Sequence, residues 1–576
     1  MTATPGVELV GTTKRAKAKG RQPKLTDRQL AERAQTQIKL AHAEPLYDLG
    51  SERWLPVLRG GRVVMVGLRE LLTDAADITD LALPDPLLRA AVRRWLLALT
   101  ADLVRRDRSR SLEDWEDAHA ANSGFTRNQV DGLLGAHQEH LWLWHPEHPF
   151  LQDPRLATTS TRPDADLAIQ DLVLHLPSGS SAAWWVKAGE PALLGGLAPD
   201  QTALWLLARW FYGVNGNCGD VRLPGGATVG AQAGGAFAET VATVTHAFRV
   251  DGSSLFRTLL RSLPRALLDT STATATAMSS GATALDGCAW LDPEQPRPSG
   301  DPLYLATLNA GAVLLTVRDQ TGQARRFLRG STPVPGEQAK TLRDLALRGD
   351  RHRVTVLTER GVAQAVRVPP GALRGEMLYA FHRAGFDGHS LTGVVNSRDC
   401  WLPVNANTID AERLDILLIG KGGTGSSPVW EELLGVELPA RQVDPGHPDQ
   451  RVTEQVRAAV QVAFDPKTGV RQRLEWAVAD LLAQPGPDGW RRPKRDSGIA
   501  QALTAAAVSS WLGRCSAAFE AVLGSDSPAA LQEWKAAAWS AARAAFDEVA
   551  EPYLTSTRYG PRYALALRQL TTRSSS

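Results

Sequence analysis

Apolar residues at helical spacing dominate the last part of the chain. VTEQVRAAVQVAF, VRQRLEWAVADLLAQ, IAQALTAAAVSSWLGRCSAAFEAVL, PAALQEWKAAAWSAARAAFDEVAEPYL and PRYALALRQL each repeat apolar positions at i, i+3, i+4 and i+7. Short polar connectors between them predict an antiparallel, four-helix-type bundle over residues 441–576. The pattern before it is mixed. Two β-prone runs, Trp54 to Leu58 and Val63 to Val66, flank Gly60-Gly61 and predict a hairpin, with a helix from Leu68. Pro84 and Pro86 open an apolar helix, LLRAAVRRWLLALTADLV, which reads as core. A further helix is expected from Pro199 to about Tyr212, and FRVDGSSLFRTLLRSLP reads as strand, turn and helix (Leu255 to Leu263). A Thr/Ala-rich stretch, Leu267 to Pro302, reads as an insertion or exposed loop. DPLYLATLNAGAVLLTVRDQTGQARRFLRG then alternates as strands do, with a turn near Gly322. The expected class is α+β, a large mixed α/β domain over residues 43–440 followed by the bundle.

One stretch does not follow core periodicity. In Leu414 to Leu434 an apolar run (Ile416 to Ile419) ends in Gly420, Lys421, Gly422, Gly423, Thr424, Gly425, Ser426 and Ser427. Pro428 follows, and Glu431 and Glu432 read as the first turn of a helix. A strand, a glycine loop and a helix N-terminus would turn several N–H groups toward one concave space suited to phosphate. GKGGTGSS approaches the GxxxxGK[ST] loop of nucleotide hydrolases, but Ser426 stands where the phosphate-binding lysine is needed, and Pro428 removes a donor. A plain Gly-Ser turn and a loop that holds a polynucleotide remain as alternatives.

The 576-residue length predicts more than one domain. No apolar run approaches the ~20 residues of a membrane span, and the start carries no apolar signal region, so a cytoplasmic protein is expected. Lys and Arg number 64 against 62 Asp and Glu, a balance that neither supports nor excludes nucleic acid. Cys218, Cys288, Cys400 and Cys515 are widely spaced, which argues against a zinc site and a disulfide framework. His140, His145 and His148 lack a ligand partner at matching spacing, and Pro146 and Pro149 make that stretch a turn. No metal and no cofactor are expected. Residues 1–42 hold Lys14, Arg15, Lys17, Lys19, Arg21 and Lys24 among few large apolar residues and read as a basic, disordered extension, with a helix possible from Asp27.

An ordered series of motifs then points to a family. A WLPV strand, a basic Gly-Gly hairpin, a REL-type helix, an LPDPLLRAAV helix and WLWHPEHPFLQ together resemble the large subunit (CasA family) of the type I-E CRISPR surveillance complex, Cascade. The resemblance runs from about Pro45 to Leu570. It implies a glycine-rich loop at Gly216, Asn217, Cys218 and Gly219 along the minor groove of the protospacer-adjacent motif. Glycines let a backbone approach base edges closely there. It implies a wedge at Thr424, Gly425, Ser426 and Ser427, beside Lys421, where many members carry a strand-parting glutamine. It also implies a loop with Trp184 and Trp185 that docks on backbone subunits and the 5′ handle of the guide RNA.

Two basic clusters are further candidates for phosphate: Arg325, Arg326 and Arg329, and the inter-helix connector with Arg491, Arg492, Lys494 and Arg495. In each a solvated face is an equal reading. The implied function is that of a non-catalytic subunit with double-stranded DNA, guide RNA, the backbone, handle-binding and small subunits, and a separate nuclease-helicase as partners. The alternatives are a nucleotide-binding enzyme using Gly420 to Gly425 and a purely structural scaffold. A nuclease lacks any carboxylate–histidine metal constellation in this sequence.

Overall fold

The computed structural model describes residues 26–174 (except 108 and 162–165), 195–213, 243–268, 302–307, 311–331, 412–421, 428–438 and 450–571 with short breaks, besides a few short strands. The chain opens with α1 (Asp27–Ala41), started by a capping box in which Thr26 and Gln29 exchange hydrogen bonds. Ile38, Ala41 and His42 are buried. The helix read from Asp27 is thus present, and residues 27–42 fold onto the body rather than into a disordered extension; Ile38 and Ala41 are buried on one helix face while Leu40 stays exposed.

β1 (Leu46–Asp48) pairs with β5 (Trp142–Trp144). β2 (Leu55–Arg59) and β3 (Arg62–Val66) form the expected hairpin, with Gly60 and Gly61 at φ 55° and 74°, and β4 (Ile78–Leu81) lies on the other side of β2. Both glycines take the left-handed conformation that this two-residue turn demands. Between these strands runs α2 (Leu68–Thr73).

α3 (Pro86–Arg106) is the central pillar. Asp85 caps it by accepting from Leu88 N at 2.9 Å, Pro86 sits in its first turn, and every residue from Leu87 to Val104 except Arg89 is buried. A helix apolar on all sides must be surrounded, and here it is packed by α5 (Arg127–His137), α7 (Pro199–Tyr212) and α8 (Leu255–Arg261). Trp54, Trp95 and Phe150 interlock edge to face beside it. α4 (Leu112–Ala121) lies against α8, the short α6 (Leu156–Thr159) against α1, and α9 (Arg265–Leu268) against α3.

β6 (Leu167–Ala168), β10 (Gly311–Arg318) and β11 (Ala324–Ser331) make one three-stranded sheet turning at Gly322 (φ 81°). The turn falls where the alternation placed it, whereas Pro302–Thr307 is a helix, α10, rather than strand. The short strands β7 (Val221–Arg222) and β8 (Thr228–Val229) pair with each other, and β12 (Thr355–Leu357), β13 (Ala363–Ala365) and β14 (Leu391–Thr392) form a small sheet. β9 (Thr243–Val250), β15 (Glu412–Lys421) and β16 (Pro428–Leu438) form another, with β15 in the middle.

Toward the end of the chain α11 (Gln450–Phe464), α12 (Val470–Leu481), α13 (Gly498–Leu523), α14 (Pro528–Leu554) and α15 (Gly560–Thr571) share a second core. Buried alanines such as Ala459, Ala538, Ala542 and Ala545 bring the helices close enough for Trp534 and Trp511 to donate to backbone carbonyls of Ala459 and Ala538. A short hairpin, β17 (Gln484–Gly486) and β18 (Gly489–Arg491), stands in the inter-helix connector. No helix among the described residues is long and apolar enough to cross a membrane.

Near the end of α3, Asp102 is buried with His137 Nε2 and Arg106 Nε each 2.8 Å from one carboxylate oxygen. Burial opposes the charge, but His137 and then Arg106 outweigh it and hold the carboxyl below its usual value. The folded value is the lower one, so Asp102 stabilises the fold fully above the ordinary carboxylate range and loses that contribution as pH falls through its folded value. Asp102→Asn should cost roughly 3 kcal/mol near neutral pH and show a flatter loss of stability on acidification than the parent. Urea midpoints at neutral and acid pH check both.

Candidate nucleic-acid interface

β15 reads LDILLIG: Leu417 enters the main core, and Asp415 is the buried exception in an apolar strand. On its two edges β15 pairs antiparallel with β9, from Arg413↔Val250 to Gly420↔Thr243, and with β16, from Glu412↔Leu438 to Lys421↔Pro428. The segment after Pro428 is therefore a strand. The helix start expected at Glu431 and Glu432 is overturned, because an apolar central strand needs hydrogen-bonding partners on both edges and β16 supplies the second. Pro428 fits as the first residue of a strand, where its missing donor costs little. With strand on both sides of it, the glycine loop is not followed by the helix N-terminus that the phosphate-cradle argument relied on, and residues 422–427 themselves lie outside the described residues.

The sheet is fastened to α3 by one ion cluster. Arg93 is 2% exposed; its Nη2 donates to both oxygens of Asp80 on β4 at 2.9 and 3.0 Å, and its Nη1 donates to Asp415. Desolvation works against the guanidinium charge, and the two carboxylates more than restore it. From Asp415 to Lys421 the strand advances roughly 20 Å. Lys421 and Pro428 are thus carried at the far end of a strand pair, a finger rooted at Arg93. Lys421 closes the paired part of that finger, while Thr424, Gly425, Ser426 and Ser427 lie outside the described residues.

α7 positions the second loop. It is buried from Thr202 to Tyr212 and packs on α3. Arg209 donates to Asp171 O at 3.2 Å and lies over Phe327, and Trp210 donates to Thr307 O at 2.8 Å. Gly213 ends the helix where a Cβ would stand 2.4 Å from Arg209 O, so only glycine fits. The chain thus leaves α7 at a fixed point, but Gly216, Asn217, Cys218 and Gly219 lie outside the described residues, as do Trp184 and Trp185.

The arginine clusters are described in part. Arg325 pairs with Asp319 at 2.6 Å and lies across Gly196, while Arg326 pairs with Asp166, its Nε 2.7 Å from Oδ1. Asp319 also accepts from Thr321 and Gln323 in the turn; the Thr321 hydroxyl above all, with Arg325, draws its carboxyl down to about 2. Arg325 and Arg326 are thus committed to internal carboxylates, which alternation along the sequence does not reveal; Arg329 is half-buried on the same strand. In the second cluster Arg492 grips Asp480 with two hydrogen bonds, of 2.5 and 3.0 Å, and Arg491 is exposed. Lys494 and Arg495 lie outside the described residues.

WLWHPEHPFLQ proves to be a turn locked from within. His145 Nδ1 accepts from the backbone N–H of Glu147 at 3.2 Å and of His148 at 2.9 Å. Buried Gln152 donates to Leu143 O at 2.7 Å and accepts from Leu315 N at 2.8 Å, tying this turn to β10. Among the described residues no group of three metal-ligating side chains forms.

Sequence reasoning missed Arg93, Asp80 and Asp415. The available signal was an arginine inside LLRAAVRRWLLALT and an aspartate inside LDILLIG, since charges in apolar runs stay only when paired. Asp415→Asn should cost roughly 3–5 kcal/mol and let β15 and β16 open without α3. Hydrogen exchange should then quicken in residues 412–438 and stay slow in 87–104; equal quickening in both would show that the cluster is not the anchor.

The family described as CRISPR-associated protein Cse1 matches residues 48–347, more than half of the chain. A curated relative, CRISPR-associated protein CasA/Cse1 of Thermus thermophilus, is 36% identical over 107 residues, which span 18% of this chain and only 20% of that protein. The fold is similar to a chain of a solved CRISPR RNA-guided surveillance complex (TM-score 0.66, 17% identity, 92% of this chain and 100% of that one). It is also similar to CRISPR-associated protein Cse1 from Acidimicrobium ferrooxidans (TM-score 0.63, 18% identity, 92% and 98%). The chain belongs to the Cse1 family of CRISPR-associated proteins.

Proposed function

We propose that this chain is the large subunit of a type I-E RNA-guided surveillance complex. In this reading it recognises the protospacer-adjacent motif in double-stranded DNA, helps part the duplex for guide pairing and recruits a separate nuclease-helicase, without chemistry of its own. The observation that carries the reading is membership of the Cse1 family over residues 48–347. The β15–β16 finger supports it mechanically. Parting a base step costs a few kcal/mol, and a loop on a strand pair rooted in a buried ion cluster can bear that load. Early guide–target pairing repays the cost.

The domains follow the same reading. Residues 43–440 carry the duplex-facing loops, Gly216 to Gly219 and Thr424 to Ser427, and the docking loop with Trp184 and Trp185 meets the guide RNA handle and backbone subunits. Residues 441–576 form the helical bundle that faces the small subunits.

The test is binding of a guide-matched duplex by the assembled complex, with and without this chain, across a library of flanking sequences. Tight binding is expected to require both the chain and a short flanking motif. Changing Gly216 and Gly219 to alanine should then cost roughly 1–3 kcal/mol on the preferred motif and little on others. Equal binding without the chain would leave only a scaffold.

A further inference from the structure

β3 is the end strand of its sheet: it pairs with β2, β2 pairs with β4, and among the described residues nothing pairs on the other side of β3. The closing pair of the two-residue turn, Arg59↔Arg62, sets which backbone groups of β3 face which way. Val66 C=O turns inward and accepts from Trp54 N–H at 3.1 Å. Pro56, opposite Met65, turns its C=O to the far side and accepts from Ala82 N–H at 2.9 Å. The N–H and C=O groups of Arg62, Val64 and Val66 are therefore spent on β2, and those of Val63 and Met65 point out of the sheet edge. The side chains there are open too: Val63 is 65%, Val64 39% and Met65 38% exposed. By register, half-buried Leu58 and Pro56 lie beside Val63 and Met65 on one face.

An open strand edge invites another strand, and folded proteins usually guard it with a bulge, a proline or a charge in mid-strand. β3 has none of these: its register with β2 is unbroken, and three consecutive exposed apolar residues run along it. Charge collects at one end only, where Arg59 and Arg62 face each other across the two strands. Arg59 is met by Glu70 at 3.7 Å, Asp74 at 3.0 Å and Asp77 at 3.8 Å, whereas exposed Arg62 has no ion pair among the described residues. Such an edge fits an extended protein segment with apolar residues at alternate positions and a carboxylate for Arg62. A nucleic-acid backbone offers no alternating donors and acceptors to match it. A second copy fits poorly as well, because β3 itself carries no carboxylate.

We propose that the open edge of β3 adds an extended segment of a partner protein as a fourth strand. Val63 and Met65 supply the main-chain hydrogen bonds, and Arg62 meets a carboxylate of the partner. The proposal goes beyond the DNA-recognition reading and does not depend on it.

The probe is a short fluorescent peptide that alternates valine with threonine and carries glutamate at both ends, titrated with the full chain and followed by anisotropy. Saturable binding is expected, and lysines in place of the glutamates should weaken it; Arg62→Glu should reverse that order. N-methylating alternate backbone amides of the peptide should abolish binding in one phase and leave it intact in the other, since only one set of amides can face β3. Met65→Pro deletes a donor that faces solvent in the free chain, so the hairpin should persist while affinity falls roughly tenfold or more. The methylation contrast is read on the parent chain and needs no variant. No saturable binding, equal binding of the two methylated peptides, or an unchanged order in Arg62→Glu overturns the proposal. A parent that dimerises in sedimentation equilibrium and turns monomeric on Met65→Pro also overturns it, because the edge would then serve a second copy.

Discussion

The architecture depends on keeping one arginine charged in the dry interior. Arg93 sits in the middle of a helix surrounded on all sides, and its charge is tolerable only because Asp80 and Asp415 reach it from two different elements. Such a cluster is a poor source of net stability, because desolvating three charges consumes most of what their attraction returns. It is a strong source of specificity. An apolar contact between α3 and β15 could slide by a residue, whereas a guanidinium shared by two carboxylates fixes the register of β15 against both α3 and β4.

That register matters because of what lies beyond it. β15 has β9 and β16 on its edges, so its position sets that of all three strands and of the turn after Lys421. α3 also carries α7, whose end at Gly213 fixes where the next loop departs. One helix thus sets where the chain departs, after Gly213 and after Lys421, toward both segments proposed to meet the duplex.

Much of this was legible. The Gly60-Gly61 hairpin, the helix after Pro86, the strand–turn–helix ending near Leu263 and the helices after residue 450 all follow from periodicity and turn chemistry, since each is decided within a few residues of itself. The failures share a different cause. VWEELLGVEL looks helical locally and is a strand because β15 needs its hydrogen bonds. Arg326 looks like part of a basic patch and is paired with Asp166, 160 residues away. The helix at 27–41 looks like part of a solvated tail, and its few apolar residues suffice because they meet β10 and α6. Partners supplied from elsewhere in the chain leave no local trace.

The change from helix to strand after Pro428 also alters what the glycine-serine turn can do. A helix N-terminus converges several unpaired N–H groups and a dipole on one point, so it attracts a phosphate whatever the surrounding shape. A hairpin has almost no such field, because the dipoles of adjacent strands cancel and their N–H groups are spent on each other. What the strand pair supplies is position: β15 carries the chain some 20 Å from its anchor at Asp415 to Lys421. In the proposed function, duplex opening would depend on where the strand pair is held, which would give the buried arginine in α3 a part in it.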